Sequence, residues 1–352
     1  VAGLGGAAFA YVLDSSSQPR LTFVKTAVVP TLDGDGSDEV WQQAPESVVH
    51  TARGFNFNGG EVDVHIRALH DGTRAYLLFR WPDATRSQKH LPLQKTAGGW
   101  KLLHTNYYNN DENEFYEDKF AVMIAQSPIA GGNTVRLGHK PFADKPGPSN
   151  GLGLHASTDG SLADVWHWKS VRSGSIKQFD DNYFGPLLDV KPGRYTGGYG
   201  QDPATGGGFD QNFEKIPNSP YVKLKFLPKN LAVQQAQMGV FNPDPAVSDM
   251  GKFAMARTDV QPYSAEADAA IPVGTIIPSV VYNASFAGDR GNVSANAQWK
   301  DGWWTLEASR LLDTGSKFDK PLTTGNFMWV SVFDHNQVRH TRHVQPLQIS
   351  VQ

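Results

Sequence analysis

The chain has 352 residues, a formal charge of −3 and no cysteine. That length suits one large or two ordinary domains. Without thiols, disulfides, thiolate zinc sites, iron–sulfur clusters and haem attached through a CxxCH motif are excluded. No long basic block is present, so no nucleic-acid partner is expected. Nine Trp and nineteen Phe allow a sizeable core, and 35 Gly with 22 Pro suit a loop-rich β architecture. Metal or cofactor ligation falls to eleven His and five Met.

Val1–Leu13 is uncharged. As a helix it would reach ~20 Å, short of the ~30 Å hydrocarbon core of a bilayer. It reads as the end of a membrane helix or signal anchor, or as an apolar arm, and residues 1–26 are set apart from a single domain over 27–352. Leu32–Trp41 (LDGDGSDEVW) is acidic and turn-rich. Its carboxylates could hold a structural Ca²⁺. The EF-hand spacing is absent, however, and Asp and Gly are the residues of side-chain turns, so a turn is the preferred reading.

Val62–Arg67 alternates apolar and polar residues, as a half-buried strand does. Asp71-Gly72 signals a hairpin, with Ala75–Trp81 as the returning strand. His65 is expected to face solvent, His70 to sit in the turn, and His104 in a loop. Phe115–Ala125 is a strand in which Glu117-Asp118-Lys119 could be a functional ionic cluster, with a turn or bulge ahead of a buried run as the preferred reading. Val135–Gly151 reads as a Pro/Gly/Lys loop and Asp164–Arg172 as a strand. From about 180 to 270 the chain is rich in Gly, Pro and Asp. It reads as a loop-rich insertion wrapping the sandwich, with one short helix at Leu231–Gly239. Ile276–Asn283, Val293–Lys300, Trp303–Arg310 and Phe327–Phe333 are further strands, with a hairpin at Asp301-Gly302, and the tail ends on an alternating strand. Many short strands, turn signals and little helical periodicity point to an all-β, antiparallel β-sandwich of immunoglobulin-like or carbohydrate-binding-module-like type.

Two stretches concentrate histidine. Gly151–Arg172 carries His155 on a glycine-rich approach and His167 within a DVWHWK run, and the tail carries His335, His340 and His343. A haem b site needs one or two axial donors and an apolar slot. Trp166, Trp168 and Phe333 could line such a slot, and Arg339 or Arg342 could meet the propionates. Against this, Trp166 and Trp168 lie two apart and share one strand face with His167 on the other, and paired indoles are more often core. The same histidines could serve zinc, although no HExxH helix is present. There is no G-x-S-x-G elbow and no P-loop. Asp180 and Asp181 would point apart on an extended strand. Residue types alone leave haem, another metal and plain core open.

At these residues the chain resembles the haem-binding domain of the ethylbenzene dehydrogenase type. The resembling stretches are LDGDGSDEVW (32–41), VDVHIRALHDGTRAYLLFRWPDAT (62–85), FYEDKFAVMIA (115–125), GLGLHASTDGSLADVWHWKSVRSG (151–174), DGWWTLEASRLL (301–312) and the tail from 327 to 351. DVWHWK together with YEDKFAVM is the specific part. The acidic stretch also appears in family-nine carbohydrate-binding modules, which are similar sandwiches. The resemblance implies one non-covalent haem b. In the family's short forms a Met before the WxW strand and a Lys near the C-terminus are the axial ligands. This chain has His155 at the first position and His343 at the second, with His340 close behind, which implies bis-His ligation by His155 and His343.

The reading is therefore an electron-transfer haem b protein and not an enzyme. It would be periplasmic or extracellular, with membrane anchoring through the N-terminus left open. Its partners would be a cytochrome, or a membrane cytochrome b or oxidoreductase subunit. A carbohydrate- or surface-binding module without haem is the alternative, and a metal-dependent enzyme ranks behind both.

Overall fold

Twelve strands of the computed structural model join in one curled sheet. The structure describes residues 18–128, 135–139, 154–157, 160–186 and 198–352, with backbone alone at 58, 135–139 and 154–157. The apolar arm Val1–Leu13, the loop from 140 to 151 and the Thr158-Asp159 turn lie outside the described residues. The strands are β1 (Arg20–Lys25), β2 (Ser47–Thr51), β3 (Val62–His70), β4 (Arg74–Pro82), β5 (Lys119–Ala125), β6 (Ala163–Lys169), β7 (Asp180–Phe184), β8 (Tyr199–Gln201), β9 (Ser294–Lys300), β10 (Trp303–Leu311), β11 (Phe327–Phe333) and β12 (Leu347–Val351). Their order is β8-β7-β6-β5-β11-β12-β1-β3-β4-β10-β9, with β2 also on β3. Pairing is antiparallel except at β1, which runs parallel to both β12 and β3.

Period-two alternation builds the core. Phe120, Val122 and Ile124 of β5, Trp166 and Trp168 of β6, and Val330 and Val332 of β11 point inward. They meet Leu77, Phe79 and Trp81 of β4 and Trp304 and Leu306 of β10. The Trp81 ring stacks on Phe120 at 4.7 Å, and Trp168 meets Trp304 edge-on at 5.0 Å. Each such side chain contributes ~1.5–3 kcal/mol through burial. The two halves of one sheet thus close on each other as a β-sandwich. Its free ends approach where Phe179 N–H donates to the Val293 carbonyl and Ala295 N–H to that of Lys177.

The Asp301-Gly302 hairpin has both residues at positive φ, 51° and 79°, the twist that two-residue hairpins need. The Leu32–Trp41 segment is a chain of side-chain turns. Asp33 accepts from Asp35 N–H, Asp35 from Ser37 N–H and Asp38 from Thr31 N–H. Glu307 anchors it by accepting from Gly34 N–H and from the Trp41 indole.

Several expectations need correction. His70 is the buried last residue of β3, its Nε2 2.7 Å from the Gln352 carbonyl. Residues 135–139 are a strand paired with 154–157, not loop. The region after 199 is not a structureless wrap. Its short strands pair with one another and with Leu93–Thr96 and Gly99–Leu102. Trp100, Phe213, Leu224, Leu227 and Ile277 make a second core there. Gly and Pro punctuation keeps these strands to two or three residues and hides them from a periodicity test. The expected helix is α1 (Leu231–Met238), capped by the Asn230 side chain, which accepts from Val233 N–H, and a second, α2 (Ala265–Ala269), follows it, with Ser264 Oγ accepting from Ala267 N–H. Among the described residues no helix is long and apolar enough to cross a membrane.

Candidate functional site

The residues of β5, β6 and β11 that do not enter the core form the sheet's second face. Registry places Val165, Met123 and Trp329 in one cross-strand row. His167, Ala121 and Ser331 form the next, and Lys169, Lys119 and Phe333 the one after. Met123, Ala125, Ala163, Val165, Phe184 and Trp329 make this face an apolar platform.

At one end of the platform is a stack of rings. His167 lies 5.2 Å from Phe333 at an interplanar angle of 27°, and Phe333 lies 4.8 Å from His340. The chain turns back after β11 so that Thr341 N–H donates to the Val332 carbonyl and Thr341 Oγ1 accepts from Val332 N–H. That pairing brings His340 beside a strand more than 170 residues earlier. Burial, then the cations Lys169 and Lys119, hold His167 well below the ordinary histidine range. Burial likewise holds His340 down to about 4. Both imidazoles are therefore neutral at neutral pH and keep a lone pair for ligation. His340 Nδ1 lies 2.8 Å from the Thr341 carbonyl and must carry the proton there, since a carbonyl only accepts. The lone pair then resides on Nε2. His167 Nε2 is buried and has no hydrogen-bond partner.

The other expected site residues fall as follows. His343 donates from Nδ1 to the Gln345 carbonyl at 2.8 Å and accepts from Val330 N–H at Nε2 at 2.9 Å. Both its nitrogens are used, and it caps the edge of β11. Its ring borders an open groove of about 660 Å³ together with Val48, Val49, Ala52, Arg342 and Leu347. Trp166 and Trp168 do not line a slot beside the histidines. They are core residues on the opposite face of β6, because alternate side chains of a strand point to opposite sides. Arg339 is committed to Asp111, with Nε 2.5 Å from Oδ1, and lies over Phe55. Arg342 is exposed. His335 pairs with Asp334 at 2.5 Å, and Asp334 and Asp118 outweigh burial to raise its pKa. His155 lies on strand 154–157, and its side chain is outside the described residues.

A buried ionic belt lies beside this face, where the ionic cluster is the less favoured of two expectations for Glu117-Asp118-Lys119. Glu117, expected in a turn or bulge, is 0% exposed. It pairs with Arg172 and with His90 at 3.1 Å, and accepts from Val171 and Arg172 N–H. Burial alone would raise its pKa, but Arg172 and His90 overcome that and hold the carboxyl well below the usual range. Asp118 accepts from Ser87 N–H and the Trp304 indole, and Lys119 donates to the Gln337 carbonyl at 2.8 Å. Lys169 and Arg290 both hold Asp180. The signal was present in three consecutive charges directly ahead of an apolar run.

The face is a buried apolar cluster edged by neutral imidazoles. That chemistry suits a planar ligand whose metal accepts nitrogen donors.

A family model described as ethylbenzene dehydrogenase matches residues 38–345. No curated protein matches the chain. Solved structures that match include a family-nine carbohydrate-binding module from Caldicellulosiruptor kristjanssonii in complex with glucose. It is 7% identical with a TM-score of 0.33, over 92% of this chain and 85% of that one. The cellotriose complex from the same organism gives 8% identity and 0.34, over 95% and 93%. A carbohydrate-binding protein from Bacteroides uniformis gives 8% and 0.33, over 94% and 91%.

Proposed function

Since the chain belongs to the ethylbenzene dehydrogenase family, we propose that it is an electron-transfer protein holding one non-covalent haem b on the outer face of β5, β6 and β11. The observation that carries this reading is the ring series His167–Phe333–His340 beside an apolar platform. The residues there fit the group. The imidazoles are neutral, one has a buried nitrogen without a partner, and the surface under them is apolar.

His155 and His340 are the proposed iron ligands. His340 replaces His343 in the assignment because both nitrogens of His343 are bound to backbone. The Thr341 carbonyl holds His340 by its Nδ1–H, which fixes the tautomer and raises the basicity of Nε2. Met123, Val165 and Trp329 exclude water from the platform. When bound, haem supplies a one-electron iron couple, and two imidazole ligands leave no open position for a substrate. The role that fits is passing electrons between a membrane or enzyme subunit and a soluble cytochrome, on the periplasmic or extracellular side.

Absorption spectroscopy of the full chain, expressed with ample haem and read with and without dithionite, tests this. A low-spin, six-coordinate haem b spectrum is expected. His155→Ala and His340→Ala should each lose the low-spin signature, and His343→Ala should keep it. A colourless protein that binds oligosaccharide instead would overturn the reading.

A further inference from the structure

A second cluster lies on the inner side of the same sheet, at the β6–β7 edge. Asp164 and Asp181 project inward from β6 and β7, and Asp319 reaches them from the segment between β10 and β11. They are 0%, 0% and 7% exposed. One carboxylate oxygen from each lies within 4.8 Å of the others. Asp202, which follows β8 and is 3% exposed, adjoins Asp319.

The hydrogen bonds of these groups are one-sided. Asp164 Oδ2 accepts from Arg310 at 2.5 Å and from Lys320 N–H at 3.0 Å, while its Oδ1 has no partner. Asp319 Oδ2 accepts from Thr314 and Asn292, while its Oδ1 has none. Asp181 Oδ1 accepts from Asn182 N–H, while its Oδ2 has none. Neither oxygen of Asp202 accepts from an N–H or hydroxyl donor, and the group reaches only the Asp319 carboxyl, which it can bond only by sharing a proton. So three carboxylates are each oriented through one oxygen and leave the other unsatisfied in a buried site. Buried polar atoms without partners cost about 1–3 kcal/mol each, and more when charged. Among the described residues the cation these carboxylates face is Arg310, which itself stacks over Trp166 at 4.7 Å.

We infer that Asp164, Asp181, Asp202 and Asp319 form a calcium site that ties β6, β7 and β8 to the 312–320 segment. All the donors are oxygens, which selects a hard cation over zinc or copper. A cage of four carboxylates suits Ca²⁺, which takes six to eight oxygens, whereas Mg²⁺ retains several waters and uses one or two carboxylates. Orientation of ligating carboxylates through their second oxygen is the usual outer arrangement of a metal site. The site is separate from the Asp33–Asp38 turns, whose carboxylates are occupied by backbone N–H groups.

Calorimetric titration of the chelator-stripped full chain with CaCl₂ tests the inference, alongside melts with and without the salt. Wild type should bind calcium and melt higher with it. Asp181→Asn should lose one equivalent and most of the rise in Tm, and Asp202→Asn, beside the close trio of Asp164, Asp181 and Asp319, should weaken binding at least tenfold. No calcium binding by wild type would overturn the inference, even if the Asp181 variant failed to fold. So would variants that keep the full stoichiometry, or MgCl₂ reproducing the whole response at equal concentration.

Discussion

An imidazole moved from water into protein loses more in its charged form than in its neutral one. His90 and His340 sit where that loss dominates, and each is held down to about 4. For a base whose folded pKa is depressed, the unfolded chain takes up the proton first as pH falls. The contribution is therefore complete above about 6.5, is lost as pH drops toward 4, and amounts to about 3 kcal/mol per residue at most. Asp118 works in the opposite sense. Burial, then Asp334, push it to about 8. Its contribution is present below the ordinary carboxylate pKa and is lost as pH rises toward 8. Melting curves mix the two, so nitrogen-15 spectra of labelled histidine are the cleaner check. At pH 6 without haem, the resonances of His90 and His340 should still be neutral, and protonated rings there would refute the burial argument. Glu117→Gln makes a second residue-scale test, because it leaves Arg172 largely buried without its counter-charge. It should cost about 3–5 kcal/mol in denaturant titrations, and a loss below about 1 kcal/mol would show that the belt is not structural.

At the scale of elements, glycines at matched φ separate conformational strain from crowding. Gly302, φ 79°, occupies the β9–β10 hairpin, where an added Cβ would meet only the Asp83 carbonyl at 3.8 Å. Gly34, φ 91°, lies against β9, and its Cβ would fall 2.7–2.8 Å from the Ala297 backbone. Gly302→Ala should cost about 1–2 kcal/mol, the left-handed penalty alone. Gly34→Ala should cost at least about twice that, because backbone cannot step aside, and equilibrium unfolding that gave the reverse order would refute the packing. The strands flanking the first hairpin were legible because their alternation is strict and Asp301-Gly302 punctuates it. Val62–Arg67 alternates likewise ahead of the Asp71-Gly72 hairpin, whereas Phe327–Phe333 was legible as a short, nearly continuous apolar run. The second core was not legible, since strands such as Val222–Leu224 are too short to show a period. Their partners, Leu93–Thr96 and Gly99–Leu102, lie more than a hundred residues away.

For the whole molecule, what mattered most was which distant segments share a face, and local spacing carries little of that. The tail histidines were visible as a group, but their division of labour was not. It rests on Thr341 pairing with Val332, which sends His340 toward His167 while His343 closes the edge of β11. Likewise Asp181 reads as half of an adjacent pair whose members point apart. Only the fold shows Asp180 bound to Lys169 and Arg290 while Asp181 turns inward to Asp164 and Asp319. These placements put the proposed haem face and the proposed calcium site on opposite sides of one strand. Val165 and His167 of β6 face the platform, and Asp164 faces the carboxylate cluster. Releasing calcium would leave four repelling carboxylates at the β6–β7 edge and loosen the register that positions the platform. Haem transfer to excess apomyoglobin should then run several-fold faster in EGTA than in CaCl₂. Asp181→Asn should transfer at the fast rate under both conditions. Equal wild-type rates would mean that the two faces of β6 act independently, with the calcium titration and the haem spectrum each still deciding its own site.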